Sequence, residues 1–312
     1  MTRTCIIFNP TARGDRAAGF RSRLDSLSSQ YSLRPTDAAG AARRLAREAV
    51  QEGFEVIVAA GGDGTVNEVI NGISDLPDGF VRASLAVLPL GTVNVFAKEL
   101  GIPSDISRAL ALLREGHLCE RDLPSAEFSS DGVTERRFFV QLAGAGLDSR
   151  AIARVEWDLK KRFGPLAYVF AGMGALRERV PPIRVASAER QMEGQLVLIG
   201  KGRYYGGRYV LFPEVAADDG LLEVVVYPRV GFAQLAGFGC GWLTGNLHRF
   251  TGAVRWKTQA ATLSCPGSMP FELEGDNIGH LPVTFRSMGR RMRVWGPSLG
   301  SRWNSSVAGI VS

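Results

Sequence analysis

Long apolar runs are what this chain of 312 residues most plainly lacks. It has no stretch of about 18 uncharged apolar residues, so no membrane-spanning helix is expected. The longest candidate, residues 230–243, is short and carries Gly231, Ala233, Ala236, Gly237 and Gly239, which suits a packed helix better than a span. Cysteine is scarce and scattered: Cys5, Cys119, Cys240 and Cys265 form no Cys-x-x-Cys pair and none stands at ligand spacing from a histidine. Neither a zinc site nor a disulfide framework is expected, and the thiols read as reduced and structural. His117, His248 and His280 are equally far apart, so no Ser-His-Asp constellation can be assembled. The opening MTRTCIIFNP lacks the apolar region and cleavage site of a signal peptide, and the reading is cytoplasmic. Internal repeats and low-complexity linkers are absent.

What is present is the composition of a globular protein, 45% apolar and 22% charged, in a chain long enough for two ordinary domains. Over the first ~120 residues β and α patterns alternate. Residues 5–8, 56–60 and 85–88 read as strands, and 17–27, 66–73, 93–100 and 106–115 as helices. A further helix begins at Thr36, its N-cap, and carries Ala41, Ala42, Leu45, Ala46 and Val50 on one face. This is the signature of a doubly wound parallel sheet. From about residue 121 the pattern becomes mainly antiparallel β: a hairpin turn at Asp131-Gly132, then strands at 195–199, 208–212, 221–227, 254–256, 261–264, 281–285 and 292–295. One helical stretch at 159–179 interrupts them. The domains are therefore drawn at 1–122 and 123–295.

The most informative segment is AGGDGTVNEVING at 60–72, directly after the buried-strand run Val56-Ile57-Val58-Ala59. Gly61, Gly62 and Gly64 permit a tight turn, and Thr65 begins a helix. Strand, glycine turn and helix N-terminus together offer backbone N–H groups and a positive helix end to a phosphate. The spacing is neither that of a P-loop nor of Gly-x-Gly-x-x-Gly. A second strand and turn follow at 85–103, LAVLPLGTVNVFAKELGIP, so two consecutive strands each end in Gly-Thr-x-Asn. In an open α/β sheet both turns lie at the carboxyl ends of the strands, where ligands bind.

With Ile6-Ile7-Phe8-Asn9-Pro10, these two runs resemble the diacylglycerol kinase catalytic-domain family, which includes bacterial lipid kinases, sphingosine kinases and ceramide kinases. GGDGT also occurs in NAD kinases, but PLGT-x-N followed by FA-x-x-LGIP is much more like the lipid kinases. FFVQLAGAGLDSR at 138–150, GRYYGGRYVLFPEVAADDGLLEVVV at 202–226 and FELEGD at 271–276 agree with it. The resemblance implies an α/β nucleotide-binding domain, a β-sandwich second domain, and a C-terminal tail, 296–312, that returns to the first. It implies ATP and Mg²⁺ as cofactors, a membrane lipid as substrate, and residence on the inner face of a membrane.

On that resemblance, Gly61, Gly62, Asp63, Gly64 and Thr65 hold phosphates, Asn67 and Glu68 contact nucleotide or order the loop, and Gly91, Thr92 and Asn94 line the facing wall. Asn9 and Thr36 are nucleotide-side contacts, with a strand-end turn and a helix cap as their plainer readings. Asp63 either serves Mg²⁺ or the acceptor, or orders its turn. The family's catalytic Asp-Gly-Glu is exchanged here to Glu274-Gly275-Asp276; the role of base carries over to Asp276, one methylene shorter, with Glu274 as its partner. The turn Asp218-Asp219-Gly220 matches a structural Mg²⁺ site built from Ala216, Asp219 and Leu221. Two further departures are Val95, where Asp is common, and Lys201, where a Gly-Asn-type turn is frequent.

The net charge of +6, with clusters at Lys160-Lys161-Arg162 and at Arg286, Arg290, Arg291 and Arg293, fits either anionic headgroups or an ordinary solvated face. No aromatic-basic interleaving supports nucleic acid as a partner. A lipid acyl groove near 159–176 is one reading of its aromatic residues, and a homodimer is compatible with the sequence. The competing functions are an NAD kinase and a non-catalytic nucleotide-binding regulator, the latter favoured by the exchanged acids.

Overall fold

The computed structural model describes residues 2–12, 14–146, 181–207, 209–249, 252–287 and 291–297. The helical stretch expected at 159–179, the acyl groove placed on it and the cluster Lys160-Lys161-Arg162 lie outside the described residues. The chain divides into two compact units. One runs to Arg121 and resumes at Met292; the other is Asp122–Arg291. Strands and helices are numbered below in chain order.

The first unit is built on β1 (Thr4–Phe8), β3 (Val56–Gly61) and β4 (Ser84–Pro89), all but completely buried, as apolar runs without polar alternation require. They pair in parallel, β1 with β3 and β3 with β4. On the other side of β1 lies β2 (Ser32–Pro35), also parallel. Its sequence pattern does not announce it. Its residues are half-buried or exposed, and it ends in Pro35, which an edge strand tolerates. With β5 (His117–Asp122) and β20 (Arg291–Gly296) the order is β2-β1-β3-β4-β20-β5.

β20 corrects the sequence reading, which placed 292–295 in the second domain. It runs parallel to β4 with Val294 opposite Leu85. Alternation along a strand records which residues are buried, not which sheet buries them. Arg293, read as part of a basic surface, instead donates from Nε to the Phe80 carbonyl at 2.8 Å and from Nη2 to that of Val81 at 2.5 Å. Trp295 Nε1 donates to Ser84 Oγ at 3.0 Å.

The helices are α1 (Asp15–Arg21) and α2 (Leu24–Ser28) where one was expected, then α3 (Ala41–Gln51), α4 (Asp63–Ser74), α5 (Gly79–Arg82), α6 (Val95–Glu99) and α7 (Ile106–Glu115). α3 starts later than predicted, with Gly40 at φ 81° as its N-cap, so Thr36 is not the cap. α3 and α4 lie close: a Cβ on Gly72 would overlap the Arg43 carbonyl oxygen. Arg43 also grips Asp75 through two hydrogen bonds, Nε to Oδ2 at 2.9 Å and Nη2 to Oδ1 at 2.6 Å.

The second unit is an antiparallel β-sandwich. One sheet has the order β10 (Gln191–Gly194), β9 (Ile183–Ala186), β16 (Ala260–Ser264), β19 (Val283–Arg286), β6 (Ser125–Ser130), β7 (Val133–Phe138). The other has the order β15 (Val254–Thr258), β14 (Leu222–Tyr227), β11 (Leu196–Gly200), β8 (Leu142–Gly146), β17 (Pro270–Leu273), β18 (Asp276–His280). A short ribbon, β12 (Tyr204–Tyr205) with β13 (Tyr209–Val210), and helix α8 (Phe232–Thr244) complete it. Between the sheets Phe128, Phe271, Phe285 and Phe139 meet edge to face at 5.0–6.2 Å. The hairpin turn Asp131-Gly132 lies where the sequence put it, both residues at positive φ. Among the described residues no helix is long and apolar enough to cross a membrane.

Candidate active site

In the first unit the strand order reverses between β1 and β3, and the carboxyl ends of four parallel strands present their loops together. β3 ends at Gly61, which carries no side chain because a Cβ there would overlap Thr65 Oγ1. Gly62 is the N-cap of α4, and the N–H groups of the first turn, Asp63, Gly64 and Thr65, precede the first intrahelical bond, Val66 N–H to the Gly62 carbonyl. Gly64 faces open space, with nothing within 4 Å of where a Cβ would project. The loop after β4 packs on this one: a Cβ on Gly91 would come within 2.6 Å of Gly62 Cα. The N–H groups of Leu90 and Gly91 both donate to the Gly61 carbonyl, at 3.0 and 3.3 Å.

Several polar side chains of the site order the loops and helices around them. Asp63 Oδ1 accepts from the Phe96 N–H at 3.2 Å, tying the first loop to α6. Glu68 accepts from the N–H groups of Gly40 at 2.9 Å and Ala42 at 3.0 Å, so it supplies the cap that α3 lacks locally. Asn67 Oδ1 accepts from Asn71 Nδ2 at 2.7 Å. Asn94, at φ 51° and only 4% exposed, lies under its turn and donates to the Gly91 carbonyl at 2.6 Å. It is therefore not part of the wall's face. Asn9 Oδ1 accepts from the Thr11 N–H and hydroxyl at 2.9 and 2.8 Å, closing a turn after β1. The Thr36 N–H donates to the Phe8 carbonyl at 2.9 Å, which holds Thr36 beside Asn9. Thr92 is exposed, and its carbonyl accepts from Arg16 Nη2 at 3.3 Å. What the loops leave for a ligand is the first turn of α4, Gly64, and the hydroxyl residues Thr36, Thr65 and Thr92.

The candidate acids of the second unit share one hairpin. Glu274 (φ 57°) and Gly275 (φ 91°) are the two central residues joining Leu273 to Asp276, a turn that requires left-handed backbone at both. Glu274 Oε1 accepts from the N–H groups of Val140 at 2.6 Å and Gln141 at 2.8 Å, and its own N–H donates to the Leu142 carbonyl at 3.0 Å. Glu272, buried on β17, accepts from the Gly275 N–H at 2.7 Å. Asp276 stands exposed at the start of β18. The exchanged pair thus divides its work: Glu274 anchors the turn and Asp276 offers a solvated carboxylate.

The turn expected to hold a structural Mg²⁺ is arranged differently. Lys201 Nζ donates to Asp219 Oδ1 at 3.0 Å, to the Leu221 carbonyl at 2.8 Å and to Asp122 Oδ2 at 2.7 Å. Partial burial alone would raise the Asp219 carboxyl. The hydrogen bonds from Lys201 and the Leu221 N–H, with the charges of Lys201 and Lys257, outweigh it and hold the group below its ordinary value. Sequence reasoning noted Lys201 as a departure but not Asp122, because nothing in the spacing brings residue 122 to residues 201 and 219.

A family profile described as the diacylglycerol kinase catalytic domain matches residues 3–126, and one described as the YegS C-terminal NAD kinase beta sandwich-like domain matches 141–296. The chain belongs to the diacylglycerol kinase catalytic-domain family. It is an enzyme of the lipid-kinase type. It is 28% identical over 306 residues to a diacylglycerol kinase of Staphylococcus carnosus (strain TM300), covering 95% of each chain. It is 29% identical over 303 residues to a diacylglycerol kinase of Staphylococcus aureus (strain MRSA252), covering 95% of this chain and 93% of that one. A solved structure described as a diacylglycerol kinase from Bacillus anthracis str. Sterne superposes with a TM-score of 0.72 at 22% identity, covering 95% of this chain and 97% of that one, a likeness of fold.

Proposed function

We propose that this protein transfers the γ-phosphate of ATP to a hydroxyl of a diacylglycerol-like membrane lipid. The observation that supports it most is the Gly61–Gly64 loop running into the N-terminus of α4 at the strand-order reversal of the parallel sheet, in a chain of this family. Phosphoryl transfer needs little from a protein beyond positioning and charge stabilisation. The free N–H groups of the α4 first turn receive phosphate oxygens, and Gly64 lets them approach the backbone. Thr65, Thr92 and Thr36 supply hydroxyls around them. Mg²⁺, which neutralises charge on the phosphates, would be held by them and by the oxygen of Asp63 not bound to Phe96. Asp276 is the base that takes the proton of the acceptor hydroxyl, and Glu274 is a positioning residue that fixes its hairpin. The excess of basic over acidic residues draws the protein to an anionic membrane surface, where the acceptor resides.

The test is transfer of label from ATP with Mg²⁺ to a mixed-micelle lipid panel and, in parallel, to NAD⁺. Label in one organic-phase product is expected and would name the acceptor. Label only in NADP⁺, or none with ATP binding intact, would overturn the proposal. Asp276→Asn should lower turnover by about 10²–10⁴-fold and leave the unfolding midpoint unchanged, since the side chain is exposed.

A further inference from the structure

The sequence resemblance implies a divalent cation on Asp219 and the neighbouring main-chain oxygens. The residues present do not fit one. We propose that Lys201 is the resident cation of this turn, so that the second unit holds residues 216–221 without structural metal. The side chain of Lys201 is 3% exposed, and an ammonium so deeply buried persists only when its charge and its three N–H donors are all met. Three acceptors meet them: Asp122 Oδ2, Asp219 Oδ1 and the Leu221 carbonyl, at 2.7, 3.0 and 2.8 Å. Two of these three are the oxygens that metal binding would require.

The surroundings complete the replacement. Asp122 Oδ2 also accepts from the Gly220 N–H at 2.6 Å, and the Asp122 N–H donates to the Ala217 carbonyl at 2.8 Å, so the Asp122 carboxylate and backbone brace the turn from outside it. Asp219 Oδ1 accepts from the Leu221 N–H at 3.0 Å, and Asp219 Oδ2 from Lys257 Nζ at 3.4 Å. No added ion is needed to offset the two carboxylates, Asp122 and Asp219, which already face two ammonium groups, Lys201 and Lys257. Arg291, with Nε 3.9 Å from Asp122 Oδ1, adds a further positive charge. Mg²⁺ takes six oxygens at about 2.0–2.1 Å in octahedral array. Here the oxygens are spaced for N–H donors, and a dication would enter beside a buried ammonium.

The test is thermal unfolding of the full chain without nucleotide, so that neither turnover nor a nucleotide-borne metal contributes. Adding EDTA, or Mg²⁺ to millimolar levels, should move the wild-type midpoint by less than about 1 °C, since no site in the folded state takes up the ion. Lys201→Met should lower the midpoint by roughly 5 °C or more, because two carboxylates lose their buried partner. If that variant does not fold, Mn²⁺ binding to the wild type, followed by electron paramagnetic resonance, decides alone: no bound ion that Asp219→Asn removes is expected. A wild-type midpoint that rises with Mg²⁺, a bound Mn²⁺ lost in Asp219→Asn, or a Lys201→Met protein as stable as the wild type would each overturn the proposal.

Discussion

At the scale of single residues, chemistry and placement part company. Cys5 is a thiol by composition, yet buried in β1 its pKa is pushed up to about 11 from an ordinary 9.0, chiefly by burial, against the nearby charge of Arg34. A group whose folded pKa exceeds its unfolded one contributes stability in full below the unfolded value, and the contribution is lost as pH rises through the folded one. The urea midpoint of the wild type should therefore fall more steeply than that of Cys5→Ala between about pH 9 and pH 11. Parallel curves would show that the Cys5 thiol has the same pKa in the folded and unfolded states. Glu274, Glu68 and Asn94 teach the same lesson at the site. Their residue types were legible as polar groups near a turn. Whether each faces a ligand or bonds backbone N–H and carbonyl groups 5 or 134 positions away depends on contacts that spacing does not encode.

At the scale of elements, the glycines carry different burdens that sequence alone does not separate. Gly64 and Gly72 both lie in α4. Gly64→Ala meets nothing in the protein and replaces a poor helix former with the best one, so stability should hold or rise slightly. On the proposed function the added methyl stands where phosphate would approach, and ATP affinity measured by calorimetry should fall at least about tenfold. Gly72→Ala drives a methyl into the Arg43 carbonyl and should cost about 1–3 kcal/mol in urea unfolding. Equal ATP affinity in Gly64→Ala and wild type would remove the phosphates from the α4 N-terminus. The strands β1, β3 and β4 and helix α7 were readable because their burial is uniform or their apolar period is regular. β2 was not, because an edge strand with Pro35 has neither signal. Thr36 was misplaced as a cap because its partner, the Phe8 carbonyl, belongs to another strand.

At the scale of the whole molecule, two domains were legible from the change of pattern near residue 121, but the path of the chain between them was not. β20 lies inside the first sheet, between β4 and β5. A chain ending at Ser287 lacks that strand, leaves Ser84 Oγ and the Phe80 and Val81 carbonyls without Trp295 and Arg293, and exposes two strand edges. Hydrogen exchange on such a truncation should show protection lost across β4 and β5 while β11 and β14 stay protected. Uniform retention of protection would show that the sheet closes without its late strand. The same return has a consequence for biosynthesis. The second unit is contiguous, Asp122–Arg291, whereas the first is split around it. On the ribosome the first unit emerges first yet cannot complete its sheet until translation has passed residue 296, so the unit made second is the one able to finish folding first. Until then β4 presents an unpaired strand edge, the kind on which neighbouring chains can pair.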